Sequence, residues 1–545
     1  LVNDYYYYPD NDYVSSAINI QREITVLNGE STDTGFQSVF AVLTVDNKPS
    51  NIDWFIPNNI FGSFDTSNQN YRVYRETLTG LPLVMFRDKT TGYSLSIARY
   101  KPVIDYSTNS YACVGAFSGE NSINASASSI EINYPTRDTA RRYFDFDDFE
   151  RIVYDLTIMA DITDSFDEAY VNCYNNQYLL EDVRIVNTDI DECYNVINQD
   201  FKSLLLSRTR NGVTSYGLPW RVTIENGLVG PASYQAGFVG QQIPCAYNMM
   251  LYGIKNNDQV SLQNGIKVLN FWVNDIDMMS PSGVPMIWYD GVSNRWLGYP
   301  TFTRMAVDAM EGLFDAYRLA EANGIEVSGW IEAVKACADW FVNVQNSDGS
   351  WYRCYNYEGT YYKGTESNIT WNPGNIAQST SKNNSTMPVR FLGKMYEYTG
   401  DSKYLNAVKK AGDFIYKELY PKNAYYGGTC DNPDCMDKEA GVFAMYAYDT
   451  LYTLTGDEKW IKCLEQATVF TMSSAITVSF KINRNASDLK AASSLKYGYS
   501  DGLSYIICGG TGVDNYAAYI YYQLFRLYVH TGKEVYYKMS EFIQQ

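Results

Sequence analysis

One phrase recurs three times in the second half of the chain: Met395-Tyr396-x-x-Thr399-Gly400-Asp401-x-x-Tyr404, Leu451-Tyr452-x-x-Thr455-Gly456-Asp457-x-x-Trp460 and Leu527-Tyr528-x-x-Thr531-Gly532-Lys533-x-x-Tyr536. Each copy closes an apolar helix, turns on glycine and opens another, so the phrase marks a helical hairpin. Glycine supplies the left-handed backbone that ends a helix, and the aromatic beyond it anchors the returning one. Weaker copies lie upstream. Leu251-Tyr252-Gly253 precedes a predicted helix near 257–274, and Ala316-Tyr317 runs through Asn323-Gly324 into one at about 328–344.

Periodicity separates two kinds of helix. After each turn comes an amphipathic helix, as in Tyr404, Val408, Ala411 and Ile415, or Trp460, Leu464, Ala467 and Phe470; such helices suit an outer ring. Before each turn the helix is apolar nearly all round, as in Gly441–Tyr448, and suits an inner ring. A further pair at about 165–178 and 190–208 brings the hairpins to six, the number that closes an α/α toroid. A chain of 545 residues is too long for one ordinary core. Residues 1–163 read instead as an antiparallel β-sandwich, with β-rich runs at Ser38–Val45, Tyr71–Arg75 and Ser94–Tyr100 between Asn, Gly and Ser turns. The expected division is therefore 1–163 and 164–545.

Charge and cysteine usage exclude several classes. A formal net charge of −19 argues against nucleic acid or an anionic membrane as main partner. No hydrophobic run reaches membrane-spanning length, and Leu1-Val2-Asn3-Asp4 does not read as a signal peptide. Ten cysteines lie without a CxxC pair, which suits packed thiols and the cytoplasm better than a disulfide framework or a zinc site. Cys430 and Cys435 are the one pair whose spacing admits a metal or a bridge. The single histidine, His530, lies beside a hairpin turn, so triads and multi-histidine metal centres are excluded. Neither a metal nor a cofactor is expected, and chemistry must use carboxylates, tyrosines, lysines or arginines.

Long connections all fall on one side of the ring, at about 209–233, 275–302, 345–386, 419–436 and 473–513, and long loops above a rigid scaffold carry function. Trp220, Trp288, Trp296, Trp351 and Trp371 lie in them, half of the ten tryptophans. With Tyr289 they are candidates for stacking on sugar rings. The same rim gathers Asp290, Asp348, Asp437, Glu439 and Asp514. Glu439 stands in the first turn of an otherwise apolar helix, where aromatic surroundings would favour a neutral carboxyl. Asp437 and Asp514 also suit helix caps. Arg304, Asp308 and Glu311 share one helix face by their spacing of four and three, as a buried ion-pair network or a substrate contact.

The hairpin series, the β-rich region before it, and the phrases Gln345-Asn346-Ser347-Asp348-Gly349-Ser350-Trp351 and Asp437-Lys438-Glu439-Ala440-Gly441 resemble bacterial α/α-toroid carbohydrate-active enzymes, glycoside hydrolases and polysaccharide lyases. The resemblance implies a glycan cleft across the toroid mouth and a carbohydrate substrate. The first expectation is an inverting hydrolase with Glu439 as acid and Asp290 as base, Asp437, Asp348 and Asp514 being substitutes. Arg304, Asp348, Asp514 and the rim aromatics would bind the glycan. A lyase using a rim tyrosine on a uronate, or a non-catalytic glycan-binding protein, are the alternatives. Asp145-Phe146-Asp147-Asp148 and the Gln-x-x-Asp-Gly-x-Trp phrase also resemble triterpene cyclases, but the acidic run lies outside the toroid and the phrase occurs once.

Overall fold

In the computed structural model the three repeated phrases end their helices in one way. Gly400, Gly456 and Gly532 adopt left-handed φ of 69°, 66° and 69°, and each donates its N–H to the carbonyl of the tyrosine four residues back. The preceding threonine donates its hydroxyl to the carbonyl four residues back at 2.7, 2.6 and 2.7 Å. The same hydroxyl accepts the N–H two residues on. Threonine recurs because one side chain satisfies groups on both sides of the chain reversal.

The structure describes residues 1–9, 16–25, 38–63, 71–75, 78–100, 110–118, 122–132, 151–181, 183–223, 228–238, 240–364, 379–429, 432–478, 500–510 and 512–544. Twelve α-helices among them form six successive pairs: α1 (Phe166–Leu180) and α2 (Ile190–Leu204), α3 (Gln242–Lys255) and α4 (Gln259–Asn270), α5 (Thr303–Ala322) and α6 (Trp330–Val344), α7 (Met387–Thr399) and α8 (Ser402–Phe414), α9 (Lys438–Thr455) and α10 (Lys459–Met472), α11 (Tyr521–Thr531) and α12 (Glu534–Gln544). The last five pairs pack as hairpins. Helices α3, α5, α7 and α9 pack on one another in that order, and the 3-10 turn Tyr516–Ile520 ahead of α11 packs on α9.

This is an α/α toroid with α3, α5, α7, α9 and α11 inside. Helix α9 is buried over most of its surface, whereas α6 and α8 bury one stripe each, Trp330, Val334, Cys337 and Phe341 in α6 and Tyr404, Val408 and Ala411 in α8. The first pair departs from the pattern. Helix α1 packs on α10, α12 and the β-sheet, while α2 lies against α3 and α4 and leaves most of its residues exposed.

The N-terminal region is a sandwich of two antiparallel sheets. Strands β1 (Val2–Tyr7), β2 (Ala17–Thr25), β3 (Ser38–Asp46), β4 (Ile52–Ile56), β5 (Ile60–Gly62), β6 (Tyr71–Arg75), β7 (Leu83–Asp88), β8 (Tyr93–Tyr100), β9 (Ser110–Ser118), β10 (Ser122–Ile132) and β11 (Arg151–Ile162) divide in the orders β1-β2-β11-β8-β7-β4-β5 and β3-β10-β9-β6. Alternation sends Trp54, Val84, Phe86 and Ile97 into the core between the sheets. Their neighbours Phe55, Leu83, Met85 and Ala98 enter the helical core, so these strands are apolar on both faces. Phe55 stacks on Tyr170 at 5.1 Å and Phe61 meets Phe470 at 5.0 Å, fastening the sheet to α1 and α10. Gly80 is also fixed there: its φ is +61°, and an added Cβ would lie 2.2 Å from the Ser473 carbonyl oxygen.

Candidate active site

Inner helices begin on one rim, and their first turns converge on Arg304. This side chain, 2% exposed, starts α5 and reaches across the ring to Glu439 on α9, with which it forms an ion pair. It also donates to the Gly428 carbonyl, and its Nη2 donates to the Tyr516 hydroxyl at 3.0 Å. Its Nε lies 3.5 Å from Asp308, one turn further along α5. The guanidinium covers Phe238 at 4.5 Å, Tyr516 at 5.3 Å and Phe443 at 5.4 Å. Segments ahead of α3 and α11 and the starts of α5 and α9 thus meet at one cation.

Two carboxylates flank it without being sealed off, with side-chain exposures of 11% for Asp308 and 9% for Glu439. Burial raises the Asp308 pKa above the ordinary carboxylate range against the pull of Arg304, with Glu311 adding to the rise. Asp308 also accepts the Phe238 N–H at 3.2 Å and a Gln241 amide hydrogen at 3.3 Å. Deeper in the ring the charges pair off. Glu311 takes a bidentate grip from Arg390, Lys394 binds Asp315 at 3.0 Å, and Arg526 binds Asp449 at 2.8 Å. Glu311 is buried, which by itself would raise its pKa, but Arg390 and Lys394 outweigh burial and hold it low.

Asp437 is fully buried as the cap of α9 and accepts N–H bonds from Ala440 and Gly428, both at 2.8 Å. Burial pushes its pKa up to about 7 against those two bonds. Asp437, expected as a catalytic acid, is here a helix cap with no exposed surface. Asp514 pairs with buried Lys438 and accepts the Tyr516 N–H at 2.9 Å, so it holds the Tyr516 turn in place. Asp290 does not join the cluster. It lies in the hairpin formed by Trp288–Asp290 and Arg295–Trp296 and accepts from Val292 N–H at 2.9 Å and from the Ser293 hydroxyl. Those bonds and Arg295 overcome the effect of its partial burial and depress its pKa. Its hydrogen bonds all lie within its own hairpin, and the expected pairing with Glu439 is not among its contacts, as a pair held apart by a water would not be.

The rim aromatics divide too. Trp220 stacks on Trp288 at 5.5 Å and 12° with both rings half-buried, and Trp296 packs on Tyr289 and Trp272. Tyr289 is 4% exposed and wedged against Phe271. Trp351 is fully buried and donates its indole N–H to the Phe341 carbonyl at 2.8 Å, a core anchor rather than a sugar contact. Asp348 turns the chain before it, accepting Ser350 N–H at 3.0 Å and pairing with Lys382, which with Ser350 overcomes burial and holds its pKa at about 2. It lines a separate groove of about 570 Å³ with Asp413, Lys417 and Lys422.

Trp371, Asp145–Asp148 and Cys430 lie outside the described residues. Cys435 is a free, half-buried thiol. Among the described residues no three His, Cys, Asp or Glu side chains gather to hold a metal, and no helix is long and apolar enough to cross a membrane. Sequence reasoning placed Asp308 in an ion-pair network or a substrate contact, not among the candidate catalytic acids, and passed over Tyr516. The available signal was the run Arg304, Asp308, Glu311, Asp315, a charged stripe at spacings of four, three and four on a helix otherwise built for burial.

A family model described as pectic acid lyase matches residues 345–430. No curated protein matches the chain. Similar solved structures include a cellobiose 2-epimerase from Bacillus thermoamylovorans, at 11% identity over 65% of this chain and 86% of that one with a TM-score of 0.44. An unsaturated glucuronyl hydrolase from Streptococcus agalactiae is similar at 12% identity over 66% and 80%, TM-score 0.39. An α-mannanase from Bacteroides thetaiotaomicron is similar at 12% over 58% and 76%, TM-score 0.36.

Proposed function

We propose that this protein cleaves glycans, as a glycoside hydrolase whose centre is Arg304, Asp308 and Glu439. The observation that carries it is the convergence of two partly accessible carboxylates from different inner helices on one buried arginine at the ring mouth. Hydrolysis of a glycosidic bond needs one carboxylic acid to protonate the leaving oxygen and one carboxylate to activate water. Burial favours the protonated form of Asp308, as an acid requires. Glu439, held by Arg304, is the base, and Arg304 fixes the spacing of the pair. Asp308→Asn and Glu439→Gln should each lower turnover by about 10²–10⁴. Near-normal hydrolysis of a natural glycosidic bond, whose poor leaving group needs protonation, by either variant rejects the assignment.

A second reading, a lyase acting on a uronate, is favoured by the 3.0 Å bond between Arg304 and the Tyr516 hydroxyl and by the match to pectic acid lyase. The matched stretch contains neither residue. Arg304 would neutralise the uronate carboxylate and Tyr516 would take the ring proton. The product separates the two: elimination leaves an unsaturated sugar that absorbs ultraviolet light, and hydrolysis does not.

A further inference from the structure

We infer that the exposed aromatic face from Tyr519 along α11 is a binding track for the glycan chain, carrying sugar rings away from the reaction centre along the helix; the inference rests on the glycan-cleaving reading above. The track begins at the centre itself. Tyr516, bonded to Arg304, stacks on Tyr519 at 4.5 Å and 23°. The 3-10 turn Tyr516–Ile520 explains the stack, because residues three apart eclipse in that geometry. Tyr519 is held by the bond from the Tyr446 hydroxyl to its carbonyl at 2.9 Å, and its phenol lies within electrostatic reach of Asp308 and Arg304.

From there the same face runs out along α11. Tyr519, Tyr522 and Phe525 are 54%, 52% and 43% exposed and recur every three residues, Tyr522 and Phe525 about 4.5 Å apart along the α11 axis. An inner helix of a toroid is expected to bury such rings, and exposed aromatics in a continuous strip mark a recognition surface. A polar edge accompanies them. Arg526 lies 5.9 Å from the Tyr522 ring and is braced by Asp449 and Thr453. Apolar ring faces beside fixed polar groups suit pyranose rings, which present C–H faces and hydroxyl edges. Tyr522 and Phe525 touch none of the reacting groups, so they are positioning residues for the chain.

The test uses the full chain carrying Glu439→Gln, which retains glycan without rapid cleavage, with and without Tyr522→Ala/Phe525→Ala. Native affinity electrophoresis against soluble mannan, xylan, mixed-linkage glucan and polygalacturonate reads binding independently of turnover. For the polymer bound best, the double substitution should weaken binding by about tenfold, and Tyr522→Trp should restore part of it. In the cleavage-competent chain, kcat/KM should fall about tenfold further on that polymer than on an aryl glycoside. Equal binding with and without the two rings overturns the track. So does a wild-type chain that binds none of the polymers, although aryl-glycoside cleavage would still leave the hydrolase reading standing. A concentration-dependent dimer that the double substitution dissociates would assign this face to a second copy of the chain, and also overturns it.

Discussion

Trp351→Ala should destabilise the protein without touching substrate affinity. The indole is fully buried, donates to the Phe341 carbonyl at 2.8 Å, and meets the Phe341 ring edge-on at 6.3 Å. Its backbone is pinned by Ser385, which accepts the Trp351 N–H at 3.0 Å. Gly349, at φ +95° and packed so closely that a Cβ would lie 2.1 Å from the Lys410 carbonyl oxygen, sets the approach. The surroundings are therefore tethered and cannot collapse onto a cavity. Truncating such a side chain costs about 3–5 kcal/mol. Trp351→Phe keeps most of the ring but leaves the Phe341 carbonyl without its partner, for about 2 kcal/mol in all. Urea unfolding followed by far-ultraviolet ellipticity is the assay. With a denaturant dependence of about 3 kcal/mol per molar or more for a domain this large, the midpoint should fall by about 1 M for alanine and about half that for phenylalanine. KM per folded molecule should stay constant. An unchanged midpoint with KM raised tenfold would place the indole on the sugar and refute the argument.

Arg390→Met should cost about 3 kcal/mol, the low end for breaking a buried pair, because Lys394 still stands 3.6 Å from Glu311. Adding Glu311→Leu should recover most of the loss, and a double-mutant cycle on urea midpoints reads the coupling. Asp437→Asn should change how stability varies with pH. The folded pKa of Asp437 is raised to about 7 from an unfolded value near 3.8, so its stabilising contribution is complete below pH 3.8 and is lost as pH rises through 7. The Asn variant should gain on wild type steadily between pH 4 and 7, and a constant difference across that window would contradict a buried carboxyl. For Asp348 the sign reverses. Its pKa is held at about 2, so its contribution is present above about pH 4 and lost as pH falls toward 2, and Asp348→Asn should flatten the acid limb of the urea midpoint against pH.

The ring of hairpins was legible because local chemistry and global packing agree. Thr399-Gly400-Asp401 and its copies carry their own glycine cap and hydroxyl brace, and Asp401 the next N-cap as well, so little tertiary information is needed to read them. The sandwich strands were legible from β-branched runs, but not the burial of both faces of β4, β7 and β8, which depends on α1 crossing the sheet. Site residues were less legible for a related reason. A loop tryptophan can turn inward or outward without changing its sequence neighbourhood, and Trp351 turns inward while Trp220 and Trp288 stay half-buried. Asp290 looked like a rim acid and is occupied by its own hairpin. Asp308 looked like an internal ion pair because nothing in a helix stripe tells which turn reaches the mouth.

The charges inside the ring fit the proposal that the mouth is the reactive end. An inner helix touches neighbours on both sides and an outer helix behind, so its fourth face looks into the ring, and α5 puts Arg304, Asp308, Glu311 and Asp315 there. Apolar residues at those positions would close the ring into a plug; charges keep the mouth polar, but each must find a partner. Deep in the ring the partners come from the adjacent helix, as in Arg390–Glu311 and Lys394–Asp315 between α7 and α5. At the mouth the pairing skips a helix: Arg304 on α5 reaches Glu439 on α9, passing over α7. One arginine then serves two acids, a tyrosine and the Gly428 carbonyl, so a single positive charge is shared between two carboxylates. Asp308 and Glu439 both draw on that one guanidinium and keep side-chain exposures of 11% and 9%. Two carboxylates sharing one cation are what the proposed acid–base chemistry would draw on, and balanced pairing along the rest of α5 is what stability requires.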